Sequence, residues 1–158
     1  MINTPAFDGQ RLRQLRKSRG LPAHRLAEQA NLSTRHLWRL EAGTRPRVAA
    51  VTLARIASAL DTSVDYLMGL SDQANVHHRK IATPRFDGQR MGELRKQRGL
   101  SAEALARKAN VSTRHIWRLQ TGKRPNVAAV TLARIALALD SSVDYLVGLS
   151  DTPDRSYK

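Results

Sequence analysis

Apolar residues recur along the chain at steps of three and four, and alternating runs that would signal strands are nearly absent, so the pattern predicts an all-α protein. Leu12 and Leu15 mark the inner face of a first, basic helix over about 8–19, which Gly20 ends where a left-handed residue costs little. Leu26, Ala27 and Ala30 mark a short second helix over about 22–30, and Asn31 and Leu32 make the turn after it. Ser33 stands where an N-cap belongs, its hydroxyl placed to accept from a free backbone N–H, and a third helix runs to about Ala42 before Gly43. After a loop holding Arg45, Pro46 and Arg47, the residues Leu53, Ile56, Ala57 and Leu60 define a fourth helix over about 51–60. Val64 and Leu67 define a fifth over about 63–68.

The pattern then starts again. Residues 7–72 realign on 86–151 at a shift of 79 without a gap, and 48 of the 66 paired positions are identical. The second set of inward residues is Met91, Leu94, Leu105, Ala106, Ala109, Ile116, Leu119, Leu132, Ile135, Leu139, Val143 and Leu146. A repeat of this length exceeds a solenoid unit and suffices for a small domain. The expected organisation is an N-terminal domain 1–72, a linker 73–85, a C-terminal domain 86–151 and a disordered tail 152–158. The linker is polar and aperiodic, contains His77, His78, Arg79 and Lys80, and carries Pro84 near its end. Stretched, it spans about 45 Å; as a flexible coil it averages about 20 Å.

Charge narrows the class of partner. The chain has 27 Lys and Arg against 13 Asp and Glu, a formal +14 at a sequence pI near 11.4, so its long-range field favours a polyanion, with nucleic acid first. The absence of cysteine removes thiol catalysis, disulfides and thiolate metal sites. Neither a signal peptide nor a run of membrane-spanning length is present, which gives an expectation of a cytoplasmic protein. At about 65 residues, each unit lies near the lower limit for a single core, so compact and moderately stable domains are expected.

The second and third helices, joined by a tight turn with the basic one second, form a helix-turn-helix. Leu37 and Leu40 hold the third helix to the core and leave Thr34, Arg35, Trp38 and Arg39 on the opposite face, as do Thr113, Arg114, Trp117 and Arg118 in the second unit. Arginine there can donate two parallel bonds to guanine and threonine can meet a base edge or a thymine methyl, each good bidentate pair discriminating by about 1 to 3 kcal/mol. A merely solvated face is the usual fate of such arginines. Against it, this face keeps its identity between the units while other surface positions drift, as Ser18 to Gln97, His24 to Glu103 and Glu28 to Arg107 show. Two readings stand for the tryptophans: packing on a sugar or thymine methyl, or bracing the helix against the preceding segment. His36 and His115 could bond a phosphate or a base; neither they nor the His77 and His78 pair has the partners of a metal ligand, and no metal or cofactor is expected. Asp65 and Asp144 read as caps or surface groups rather than catalytic carboxylates.

Each unit resembles a domain of the lambda-repressor-like, or XRE, helix-turn-helix family, on the strength of LRKSRGL, LAEQANLS, LWRLEAG and TLARIASALDTSVDYLMG in the first copy and their counterparts in the second. The resemblance implies five helices per unit, sequence-specific duplex binding, and base contacts from the third helix at Thr34, Arg35 and Arg39 and at Thr113, Arg114 and Arg118. It also implies a pair between a first-helix arginine and a glutamate ending the third helix, here Arg16 with Glu41; in the second copy Arg95 faces Gln120. Ala23 and Ala102 replace a glutamine that many members place against DNA. Pro22 stands where Ser101 supplies a helix cap, a difference of about 1 kcal/mol. Candidate phosphate contacts are Arg16, Ser33, His36, Arg45 and Arg47, with Arg95, Ser112, His115, Lys123, Arg124 and Asn126 in the second unit.

The expectation is therefore a non-enzymatic transcriptional regulator of bacterial or phage type, associated with the nucleoid and most simply a repressor, in which duplication replaces or supplements a homodimer. Its partner would be double-stranded DNA with two near-identical half-sites, inverted in preference to direct. The sequence leaves open whether two chains pair as a homodimer. Rival readings are an antitoxin or restriction-modification controller acting on its own operon, an activator, and a protein-bridging coactivator with weak DNA specificity. RNA binding is disfavoured because a rigid helix cannot read the deep, narrow groove of A-form RNA.

Overall fold

The computed structural model describes residues 5–44, 47–76, 84–122 and 126–154, and every regular element among them is helical. The first unit contains α1 (Gly9–Ser18), α2 (Ala23–Gln29), α3 (Thr34–Ala42), α4 (Ala50–Ala59) and α5 (Val64–Leu67). The second repeats them as α6 (Gly88–Gln97), α7 (Ala102–Ala109), α8 (Thr113–Gln120), α9 (Ala129–Ala138) and α10 (Val143–Leu146). The chain is all-α, with two tandem five-helix units, as its periodicity requires. All the inward residues named above are buried, joined by Val48, Ala50 and Ala54 and by Val127, Ala129 and Ala133.

Local chemistry sets the helix ends. Asp8 and Asp87 cap α1 and α6, Ser33 and Ser112 cap α3 and α8, and Ser101 caps α7, whereas Pro22 offers α2 no side-chain bond. Asn31 and Asn110 adopt the left-handed conformation, with φ of 56° each, in the turn of each helix-turn-helix; asparagine tolerates it better than most residues. Gly9 and Gly88 have another role. A Cβ on either would strike a backbone carbonyl at the end of the third helix of its unit, that of Leu40 or of Leu119, so glycine here lets the start of α1 or α6 lie directly against that helix.

The two units are joined by more than a linker. Ala49 and Ala128 precede α4 and α9 without any capping side chain, and the first amides of these helices bond across to the other unit: Ala50 N to Val127 O at 2.9 Å and Ala129 N to Val48 O at 2.8 Å. These bonds flank an isolated antiparallel bridge between Ala49 and Ala128. Deeper in the contact, Asp144 accepts from the backbone N–H of Val64 (2.8 Å) and Asp65 (3.3 Å), while Asp65 accepts from that of Val143 (3.0 Å). Each carboxylate thus caps the short last helix of the other unit, whose own Ser63 or Ser142 satisfies only the amide of Tyr66 or Tyr145. Asp65 and Asp144 are 0 % and 1 % exposed. Caps they are, but of the opposite unit's helix and not of their own, and they are not surface groups. The residues paired across this contact exchange roles under the shift of 79 that relates the two copies, which is the reciprocity of a two-fold axis.

The segments expected to be free are partly docked. In the linker, Val76 N donates to Asp61 O (3.3 Å), and Pro84 is buried. In the tail, Pro153 O accepts from Ser141 Oγ (2.5 Å) and Asp154 pairs with Arg98 at 2.9 Å. A backbone amide, a carbonyl and a carboxylate on these segments find partners on the adjacent unit, which polarity alone does not reveal. His77, His78, Arg79 and Lys80 lie outside the described residues.

Candidate nucleic-acid interface

Helix α3 presents two faces of opposite character. Leu37 and Leu40 are fully buried, while Arg35, Trp38 and Arg39 are exposed and Thr34 is half-buried at the first turn. In α8, Ile116 and Leu119 are buried, Arg114 and Trp117 exposed, and Thr113 and Arg118 half-buried. Residues at spacings of three and four fall on one helical face, so Thr34 or Arg35 with Trp38 and Arg39 form a single surface of two guanidiniums, a hydroxyl and an indole. Among the described residues the large hydrophobic side chains left exposed are Trp38 (59 %) and Trp117 (47 %). Bracing of the helix against the preceding segment would have buried them, so that reading does not hold for Trp38. The Arg95 guanidinium lies over the Trp117 ring, 5.7 Å from its centre.

The first helix of each unit holds this face in place. Arg16 Nε and Nη2 donate to the two oxygens of Glu41 (2.5 and 3.2 Å), and Nη1 donates to Leu21 O (2.9 Å), fastening the end of α3 to α1 and to the start of the turn before α2. The side chains are only 12 % and 6 % exposed. In the second unit Arg95 Nε donates to Gln120 Oε1 (2.8 Å) and Nη1 to Leu100 O (2.8 Å), so the same brace survives with a neutral acceptor. Gly92, where the first unit has Arg13, lies against the Gln120 side chain. Arg16 and Arg95, expected at phosphate, direct these bonds inward within their own unit.

The Ser33 and Ser112 hydroxyls accept from the His36 and His115 amides (3.0 and 3.1 Å) and still have a proton to donate outward. His36 and His115 are half-buried, and Arg47 and Asn126 are exposed just before the contact between units. Arg45, Lys123 and Arg124 lie outside the described residues. Sequence reasoning missed Arg11 and Arg90, each of which donates to the carbonyl of Tyr66 or Tyr145 (2.8 and 2.7 Å) and to that of Ser71 or Ser150 (2.9 Å each). Each also stacks on its tyrosine at 4.3 or 4.2 Å, so these cations close the unit on itself. Their identity at equivalent places was the available signal. Among the described residues, no group of acidic, histidine or cysteine side chains could hold a metal, and no helix is long and apolar enough to cross a membrane.

A helix-turn-helix present twice, each with its third helix braced from behind and basic in front, defines the class of protein. The chain belongs to the helix-turn-helix domain family, whose profile matches residues 9–67 and again 88–145, once in each unit. Solved structures of several regulators are similar to part of it. One is SinR, a master regulator for biofilm formation, in complex with DNA (32% identity over 37% of this chain and 94% of that one, TM-score 0.37). Another is the restriction-modification controller protein C.AhdI from Aeromonas hydrophila (37% identity over 37% of this chain and 88% of that one, TM-score 0.36). A third is the DNA-binding domain of SinR from Bacillus subtilis (28% identity over 45% and 94%, TM-score 0.37). The match to SinR in its complex with SinI spans 58% of that chain. No curated protein matches the sequence.

Proposed function

We propose that the protein is a sequence-specific transcriptional repressor that reads an inverted repeat in double-stranded DNA with a single chain. The observation that carries this reading is the reciprocal contact between the units, at Ala49 with Ala128 and at Asp65 with Asp144. A two-fold relation at that contact sets α3 and α8 in opposite senses about the same axis, and identical faces so related suit a target with the same symmetry. Homodimeric regulators achieve this with two chains, whose half-sites lie about 34 to 36 Å apart. Here the second protomer is covalently supplied, so its docking is intramolecular and gains avidity without new contacts. Repression follows from occupancy, since two rigid heads closed on one another would cover a promoter without any further domain.

Arg35, Arg39, Arg114 and Arg118 are proposed to read bases, with Thr34, Thr113, Trp38 and Trp117 beside them. Arg47, Asn126, Ser33, Ser112, His36 and His115 are proposed for the flanking phosphates, together with Arg45, Lys123 and Arg124. The test is competition binding of R35A, R114A and the double variant against a selected site and against random duplex. Each single substitution should weaken one half-site, by about 1 to 3 kcal/mol. The double variant should lose site preference and keep the salt-sensitive background. Retained preference in the double variant would mean that the reading face lies elsewhere.

A further inference from the structure

We infer that Trp38 and Trp117 read the 5-methyl group of a thymine at the same position of each half-site, an assignment that rests on the DNA-reading function proposed above. Four observations converge on these indoles. They are the chain's two tryptophans, and each lies on the third helix of its unit. They are the large apolar side chains left in solvent among the described residues. Each follows its threonine by four positions and its first arginine by three, so it shares their outward face. Between the copies the buried neighbour on the same helix drifts from Leu37 to Ile116, whereas the exposed tryptophan does not.

The chemistry of the major groove leaves one feature for such a group. An indole face accepts no hydrogen bond and offers no donor to a base edge; its Nε1–H is a single donor at the ring's rim. The groove's apolar feature is the thymine methyl, which side chains read by contact. Arginines at positions 35, 39, 114 and 118 seek guanine, so the tryptophans supply the complementary signal for an A·T pair within the same half-site. A large planar ring fixed by two dihedrals covers a methyl with little loss of conformational freedom. In the second unit the Arg95 guanidinium at 5.7 Å steadies the ring from behind, and that guanidinium is itself held by Gln120 and Leu100.

The experiment replaces thymine by deoxyuridine, one position at a time, in the site that the wild-type chain selects from random duplex. Deoxyuridine keeps every hydrogen-bonding atom and removes only the methyl. Wild-type affinity should fall about fourfold at one position of each half-site and about fifteenfold when both are replaced, from the transfer value of one buried methyl. W38A should abolish the sensitivity in one half-site, W117A in the other, and the double variant in both. Far-UV circular dichroism and thermal melting verify that each variant keeps its fold. A wild-type chain indifferent to deoxyuridine at every position, or a double variant as sensitive as wild type, overturns the assignment while leaving the proposed function standing. A wild-type chain that selects no site overturns both.

Discussion

Replacing Asp144 with alanine probes the contact that relates the two reading heads. The carboxylate accepts the amides of Val64 and Asp65 at 2.8 and 3.3 Å from within a contact where it is 1 % exposed. Each bond to a charged acceptor contributes about 1.5 to 3 kcal/mol, and an amide stranded in the interior costs about 1 to 3 kcal/mol. Removing a buried charge returns part of this, because desolvating the carboxylate opposed folding in the first place. The net loss should be about 3 kcal/mol, a large share of the 5 to 15 kcal/mol typical of a small protein. With a urea dependence of about 2 kcal/mol per molar, the unfolding midpoint should fall by about 1.5 M. Asp144→Asn retains one acceptor oxygen and should lose less, about 1 kcal/mol. Asp65→Ala, its counterpart across the axis, should behave like Asp144→Ala, and the double variant should lose less than the sum because the two groups share one interface. Equilibrium unfolding followed by circular dichroism measures all four. Should Asp144→Ala unfold within about 0.5 kcal/mol of wild type, the carboxylates would not be what holds the units together.

Gly9→Ala and Gly88→Ala drive a methyl into the carbonyl of Leu40 or Leu119 and should each cost about 1 to 3 kcal/mol by overpacking. DNA affinity should drop for the half-site read by the same unit, and thermal melting that does not change in either variant would contradict the close approach. Glu41→Gln, which gives the first unit the acceptor that Arg95 has in the second, should lose about 1 kcal/mol by exchanging a charge-assisted bond for a neutral one, whereas Gln120→Glu should gain a similar amount. A denaturation series on the pair checks the opposite signs. If six to ten phosphates are engaged, specific affinity should fall by about 10³ to 10⁵ between 50 and 200 mM salt, and a slope near zero in a titration of affinity against salt would remove the phosphate contacts.

What the sequence disclosed depended on whether the information was local. The helices of the first unit lie within one residue of where Leu12, Leu26, Leu37, Leu53 and Val64 with their periodic neighbours had put them, because amphipathic spacing and the Ser33 cap act within a few residues. The outward placement of Arg35, Trp38 and Arg39 followed from the same spacing. The contact between the units could not be read this way. Asp65 and Asp144 resemble ordinary first-turn acids until a second helix end is seen to need them, and Ala49 and Ala128 give no sign that their neighbours' amides are satisfied from across an axis. A helix start lacking a capping side chain was the one clue, since its amides had to find acceptors elsewhere. The brace made by Arg16 and Arg95 was hidden in part for a related reason: a basic residue near the third helix suits phosphate and an internal acceptor alike, and only the fold shows the acceptor.

The most direct measurement is selection from random duplex by the intact chain, sequenced to give the preferred site and combined with the mass of the complex formed on it. One chain should bind one inverted repeat of two near-identical half-sites, with centres about one helical turn apart. A direct repeat, a lone half-site, or no enriched sequence at all would contradict the two-fold reading on which the function rests.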